Sequence, residues 1–270
     1  MRAGVSVADG VNALSAIQFV LSGPTKLFGA DPWQDGDTVR GVMPADRLFP
    51  GADGRPAVGS LGVLVDEVVG YSIIGSLPEG AWTVSTEIWI DIVRPLADAE
   101  GELSASARSI APGSFATGEL IDASGNLIAE CRERGREIAD PPDFAVARTD
   151  FAFDGAVDLD QDLSGVLSLR EMGEGWVLPV VPRWENPRGV LHGGVSLAAS
   201  EAAATASRVE AGSDLATSSL HIVHTRAVPS GVDLELRTTT RHAGRTLWVT
   251  DVDAVWNGKV CATTRVSAQA

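Results

Sequence analysis

The sequence predicts an α+β fold made of two similar units, each a long central helix packed on an antiparallel sheet. Three observations carry that prediction. The second half of the chain repeats the order of the first, apolar and polar residues alternate after each helix candidate, and Gly/Asn turns separate the strand runs. The 270 residues suit two units of roughly 130 residues better than one small domain.

The repeat is the first element to justify. With Asp66 set opposite Glu201, Ala57-Val58-Gly59 falls opposite His192-Gly193-Gly194, nine residues upstream in both copies. Downstream of each acid comes a strand-like run, "TVSTEIWIDIVRPLAD" in the first copy and "ATSSLHIVHTRAVPSG" in the second. Ile88, Ile90 and Ile92 alternate with Trp89, Asp91 and Val93, the period of a half-buried strand. Arg94 then stands opposite Arg226. "Asp122-Ala-Ser-Gly-Asn126" and "Trp256-Asn-Gly-Lys259" mark hairpins, because Gly and Asn accept the positive φ of tight turns. Gly125, Ala129 and Arg132 match Gly258, Ala262 and Arg265. Each copy therefore reads short strand, loop, long helix, then three or more antiparallel strands.

The helix of the first copy, "SLGVLVDEVVGYSII", is rich in Val and Gly, and local propensity alone would allow a strand. Its match to the alanine-rich "VSLAASEAAATASRVEA" makes it a helix, and a helix apolar all round belongs in the middle of a fold. A further helix is expected over roughly Asn12–Leu21. The stretch 136–155, with Pro141-Pro142 and its charges, reads as a linker or lead-in strand, with a boundary near residue 145: units 1–145 and 146–270.

Composition narrows the function. At 44% hydrophobic and 21% charged the chain reads as globular, and the net charge of −15 argues against nucleic acid or an anionic membrane as partner. The N-terminus lacks the order of a signal peptide, and no window gives ~18 uninterrupted apolar residues, so a cytoplasmic location is expected. Cys131 and Cys261 form no metal or disulfide pattern and read as buried strand residues. His221 and His224 lie three apart on a strand and so face opposite ways, which excludes a shared metal. His242 is placed in an exposed turn.

Asn186, then His192-Gly193-Gly194, then an acid nine residues after the histidine, resembles the motif of hotdog-fold acyl-CoA thioesterases of the phenylacetate-pathway (PaaI-like) type. "VSTEIWIDIVRP" resembles the strand that follows the helix in that family. The resemblance covers most of both halves and implies a fused double hotdog, with a small-molecule acyl-CoA substrate, no cofactor, no metal, and association of fused chains into a homodimer. It also implies a site built across the pair of units. One unit supplies the Asn and the His-Gly-Gly loop; the other supplies the acid on its helix and a Ser or Thr on the next strand. Carried over, this assigns Asn186, His192, Gly193 and Gly194 from the second half, and Asp66 and Ser85 from the first. The reverse combination, Glu201 and Thr217 with Ala57-Val58-Gly59, lacks the His and the Asn and implies a degenerate second site.

The chemistry suits these residues. Thioester hydrolysis needs a donor for the carbonyl oxygen and an activated water or nucleophile. The first N–H groups of a helix are free and sit at its positive end, and glycine lets an acyl group approach them. Gly193 and Gly194 are read as that donor pair, His192 as orienting the loop, and Asn186 as holding a water or the carbonyl. Asp66, among valines, is expected to have a raised pKa and to act as general base or as nucleophile, with Ser85 positioning the water. Arg188, Arg94 and Arg226 are candidates for the coenzyme phosphates. Each reading has a plainer competitor: a turn-and-cap role for His-Gly-Gly, a solvated patch for Asp66 and Glu67, and a structural or vestigial acid at Glu201. Two other functions also compete. An enoyl-CoA hydratase is disfavoured because His192 lies too far behind Asn186-Pro187, and a non-catalytic acyl-CoA-binding protein would have lost both sites.

Overall fold

A computed structural model of the chain describes residues 14, 16–139, 158–173 and 175–270. The first half runs α1 (Gly23–Phe28), β1 (Asp31–Asp35), β2 (Thr38–Met43), α2 (Gly62–Gly75), β3 (Trp82–Ile92), β4 (Leu103–Ala111), β5 (Phe115–Ile121) and β6 (Leu127–Ile138). The second runs α3 (Leu163–Leu167), β7 (Arg170–Met172), β8 (Gly175–Val180), α4 (Gly193–Glu210), β9 (Ala216–His224), β10 (Val232–Ala243), β11 (Leu247–Trp256) and β12 (Lys259–Gln269). The strands form one antiparallel sheet in the order β1-β2-β4-β5-β6-β3-β9-β12-β11-β10-β8-β7. Read from its two ends, that order repeats, β7 standing for β1 and β9 for β3. The halves are thus two copies of one hotdog unit, joined edge to edge at β3 and β9. Each copy has two strands before its long helix where the sequence predicts one.

The centre of the sheet sets everything else. Ile88 pairs with Ile222 and Ile90 with Leu220, all four buried, so the alternation of both strands points one face at the helices. On the other face Trp89 stacks on His221 with ring centroids 4.2 Å apart, and Arg132 lies over the Trp89 ring. His242 is exposed but belongs to β10, at an irregularity of the β10–β11 register, and not to a turn. Cys131 and Cys261 are free and buried in β6 and β12.

Helix α2 forms despite its valines because tertiary burial outweighs propensity. Val63, Leu64, Val65, Val68, Val69 and Ile73 are all fully buried. Averaged over its length, Val58–Gly75 is apolar enough to cross a membrane even with Asp66 and Glu67 in it, and 89% of it lies inside the fold. Helix α4 crosses α2 at their first turns, backbone against backbone. A Cβ on Gly62 would lie 2.6 Å from the Gly194 carbonyl oxygen, so only glycine fits.

The expected N-terminal helix is not found where the sequence places it. Residues 16–21 are non-helical, and 12, 13 and 15 lie outside the described residues. The Ile17 and Val20 N–H groups donate instead to the Gln34 side chain and the Tyr71 hydroxyl. A helix starts only at Gly23, where Ser22 and Thr25 form a capping box and Pro24 occupies the first turn. The boundary near residue 145, with most of the proposed linker, also lies outside the described residues; Arg136–Ile138 finish β6.

Candidate active site

Antiparallel pairing of β3 with β9 lays the start of β3 beside the end of β9, with Glu87 opposite Val223. The crossing of α2 and α4 then sets the first turn of α4 against the first turns of α2. These two placements join residues 66, 85, 192, 193 and 224 around one cavity of about 260 Å³. Asp66 Oδ1 accepts from the Ser85 hydroxyl at 2.6 Å, and Oδ2 accepts from the Gly194 N–H at 2.9 Å. His192 lies between two acids, with Nδ1 3.0 Å from Asp66 Oδ2 and Nε2 2.9 Å from Glu67 Oε1.

His192 Nδ1 is also 3.1 Å from the Gly194 N–H, and it cannot both accept from that group and donate to Asp66. The Gly194 N–H has the shorter, charge-assisted bond to Asp66, which leaves Nδ1 to donate. His192 is then an imidazolium bridging two carboxylates. Burial opposes its charge, but Asp66 and Glu67 outweigh burial and raise its pKa to about 10. Burial likewise pushes Asp66 upward, yet the His192 charge and the hydrogen bonds from His192 and Ser85 hold it at about 2. The expected rise in the Asp66 pKa is therefore overturned, because charge and hydrogen bonding exceed desolvation. The solvated patch is also excluded, since the Asp66 and Glu67 side chains are only 10% and 5% exposed.

These shifts predict a pH window for stability. The His192 contribution is complete below 6.5, its ordinary pKa, and is lost as pH rises through about 10. The Asp66 contribution is complete above 3.8 and is lost as pH falls through about 2. His192→Gln strands two buried carboxylates, and breaking such a buried pair costs about 3–5 kcal/mol. The wild-type advantage in melting temperature over His192→Gln should be widest at mildly acid pH and should narrow steadily above neutrality. A gap of constant size from acid to alkaline pH would refute the imidazolium.

The other assignments fare unevenly. The Gly194 N–H is occupied by Asp66 and is not a free carbonyl donor, whereas the Gly193 N–H has no acceptor among the described residues. Asn186 Oδ1 is used within its own turn, accepting from Arg188 N–H at 2.9 Å, so the amide nitrogen is left for a ligand. Arg188 and Arg226 are exposed and line the cavity. Arg94 does not, because it follows the far end of β3 from Ser85.

Among the acidic, basic and histidine side chains of the lining, four were not assigned to the site by the sequence reading: Glu67, Glu133, Arg136 and His224. Two had a signal. The alternation that buries Leu220 and Ile222 also turns His224 inward, and that which buries Ala129 and Cys131 turns Glu133 inward. His224 and His221 do stand on opposite faces of β9. Neither His224 ring nitrogen has a hydrogen bond of good geometry, though the backbone at Gly193 and Ser85 is near enough to favour its charged form. Burial outweighs that and the nearby Asp66, and lowers its pKa.

The second composite arrangement exists but is differently filled. Glu201 accepts from Thr217 at 2.9 Å and from the Gly59 N–H at 3.4 Å, repeating the contacts of Asp66. Ala57 stands where the first site has His192. The positive charge comes instead from Arg208 on α4 itself, buried and 3.2 Å from Asp53. Burial raises the Glu201 pKa, opposed by Thr217 and Arg208.

Residues 188–263 match the family model described as Thioesterase superfamily. No curated protein matches the chain. Among solved structures, the chain is similar to the tesB protein of Mycobacterium avium subs paratuberculosis, with TM-score 0.60 and 9% identity over 91% of this chain and 97% of that one. It is similar also to the 12:0-ACP thioesterase from Umbellularia californica, with TM-score 0.56 and 13% identity over 87% of this chain and 94% of that one. The E. coli PaaI protein from the phenylacetic acid degradation operon is 22% identical over 40% of this chain and 87% of its own, with TM-score 0.37. The first two share the double-hotdog fold over nearly their whole length. Over most of its length the chain has the double-hotdog fold, and residues 188–263 match a thioesterase-superfamily domain, which together support thioester hydrolysis as its chemistry.

Proposed function

We propose that the chain hydrolyses an acyl-CoA thioester at one composite site between its halves, divided near residue 145. The observation that carries this reading is the approach of Asp66, from one half, to His192 and Gly194 of the other. The acyl carbonyl would rest against the Gly193 N–H, whose worth to a developing oxyanion is on the order of 3 kcal/mol. Asp66, ionised at neutral pH, either takes a proton from a water whose oxygen attacks the carbonyl carbon, or attacks that carbon itself to form a mixed anhydride that water then hydrolyses. In both routes the carbon–sulfur bond breaks as the new carbon–oxygen bond is made, and the thiolate leaves with a proton drawn from water. Arg136, Arg188 and Arg226 give an otherwise acidic protein a local basic rim for phosphates. Glu201 and Thr217 form a site without hydrolytic function. An acyl-CoA substrate suits a cytoplasmic protein, and we expect two fused chains to associate as a homodimer, which light scattering would reveal.

A panel of acyl-CoAs, followed for thiol release and separately for enoyl hydration, tests the reading. Thiol release from at least one member is expected. Hydration alone would favour the hydratase alternative, and binding without turnover would mark a non-catalytic acyl-CoA protein. Single turnover in ¹⁸O-water then tests the role of Asp66: label in its carboxylate means nucleophile, and label only in the product, with no mixed anhydride trapped by hydroxylamine, means base.

A further inference from the structure

We propose that Glu133 is a positioning residue of this site: as a neutral carboxyl group it donates to Ser85, and so commits the one Ser85 hydroxyl proton to Asp66. The proposal rests on the reading of Asp66 as the reacting carboxylate.

A count of protons carries it. Ser85 Oγ lies 2.6 Å from Asp66 Oδ1 and 2.7 Å from Glu133 Oε1, both hydrogen-bond lengths. A hydroxyl has one proton, and an ionised carboxylate can only accept. One of the two acids must therefore supply the second proton. Asp66 is held as the anion, since its other oxygen faces the Gly194 N–H and His192 Nδ1. Glu133 has no such support. Its Oε2 is buried without a partner, and Ser85 is its one hydrogen-bond partner among the described residues. The titratable groups around it are Asp66 and Glu67 on α2 and Cys131 on β6; His192 is engaged by the two α2 acids. The Gly70 backbone covers Oε1 so closely that a Cβ there would lie 3.2 Å away. Burial first, then the charges of Asp66 and Glu67, push its pKa well above the usual carboxylate range.

The other copy supplies an independent comparison. Ser85 pairs with Gly135 and Thr217 with Ala268, so Val266 occupies the place of Glu133. It is buried and apolar, and Thr217 has no second carboxylate to share its proton with. The extra acid occurs beside the copy that has the His-Gly-Gly loop.

With the hydroxyl committed, Asp66 receives a fixed donor and faces no second anion. When Glu133 loses its proton, two carboxylates share one hydroxyl, and turnover should fall on the alkaline side. The test compares wild type, Glu133→Ala and Glu133→Gln in thiol release from acyl-CoA across neutral and alkaline pH. Ala is expected to lower kcat about tenfold or more with little change in KM. Gln should recover most of that loss, because its amide N–H donates to Ser85 at every pH, and it should abolish the alkaline fall that sets in below about 10, where His192 still keeps its proton. A Gln variant that melts like wild type but loses as much as Ala, or keeps the alkaline fall, overturns the proposal. A second readout needs no substrate. The infrared difference spectrum of wild type minus Glu133→Gln at neutral pH should contain a protonated-carboxyl C=O band, and ionised-carboxylate bands in its place would also overturn it. A chain that releases no thiol from any thioester would defeat the hydrolase reading while leaving the infrared result to stand or fall separately.

Discussion

Asp66→Asn should cut kcat for thiol release by about three orders of magnitude, while Glu201→Gln keeps most of it. The two acids occupy equivalent places on α2 and α4, and each accepts from a hydroxyl and from a glycine N–H of the opposite half. The difference lies in what faces them. Asp66 adjoins His192 and the Gly193 N–H at the cavity, whereas the second copy has Ala57 at the position of the histidine and Glu201 feels the positive charge of Arg208 instead. Asparagine preserves the shape and the polarity of Asp66 but removes the charge that either mechanism requires. Steady-state thiol release with both variants gives the answer. Equal losses would show two working sites, and an active Asp66→Asn enzyme would remove the carboxylate from the chemistry altogether.

Gly194→Ala is the second large effect, this time on stability. Alanine is the better helix former by about 1 kcal/mol, so propensity alone predicts a gain. Sterics decide otherwise. The added Cβ would lie 2.5 Å from the Gly62 carbonyl carbon and 2.7 Å from Val63 Cα. Those are backbone atoms at the buried start of a helix and cannot rotate aside. Overpacking of this kind costs about 1–3 kcal/mol, and more where backbone must shift, so we expect a net loss of about 2 kcal/mol or more by denaturant unfolding. Thiol release should fall with it, because moving the start of α4 moves His192 and Gly193 away from Asp66. An unfolding midpoint at or above that of wild type would show that the helix crossing is looser than this contact requires.

Much of the fold could be read from residue order. Alternation at Ile88, Ile90 and Ile92, the turns at Gly125 and Gly258, and the match of α2 to α4 are local or repeated patterns. Each survives whatever the rest of the chain does. The pairing of Asp66 with His192 was legible too, through the repeat and the motif. Glu67, Glu133 and His224 were harder, because nothing local separates a buried acid that meets a partner from an exposed one that meets water. The Asp66 pKa went the wrong way for the same reason: its valine neighbours are in the sequence, but the imidazolium beside it comes from 126 positions downstream.

By itself, then, the sequence determined the two-unit plan, the helix and strand periodicities, and which half carries the His-Gly-Gly loop and which the aspartate. Tertiary structure alone decided the protonation of the site, the occupation of the Gly194 N–H, and the exclusion of Arg94. The physical reason is range. Periodicity and turn chemistry act between neighbours a few residues apart, whereas charge, burial and hydrogen-bond competition depend on groups that meet only when β3 pairs with β9 and α2 crosses α4.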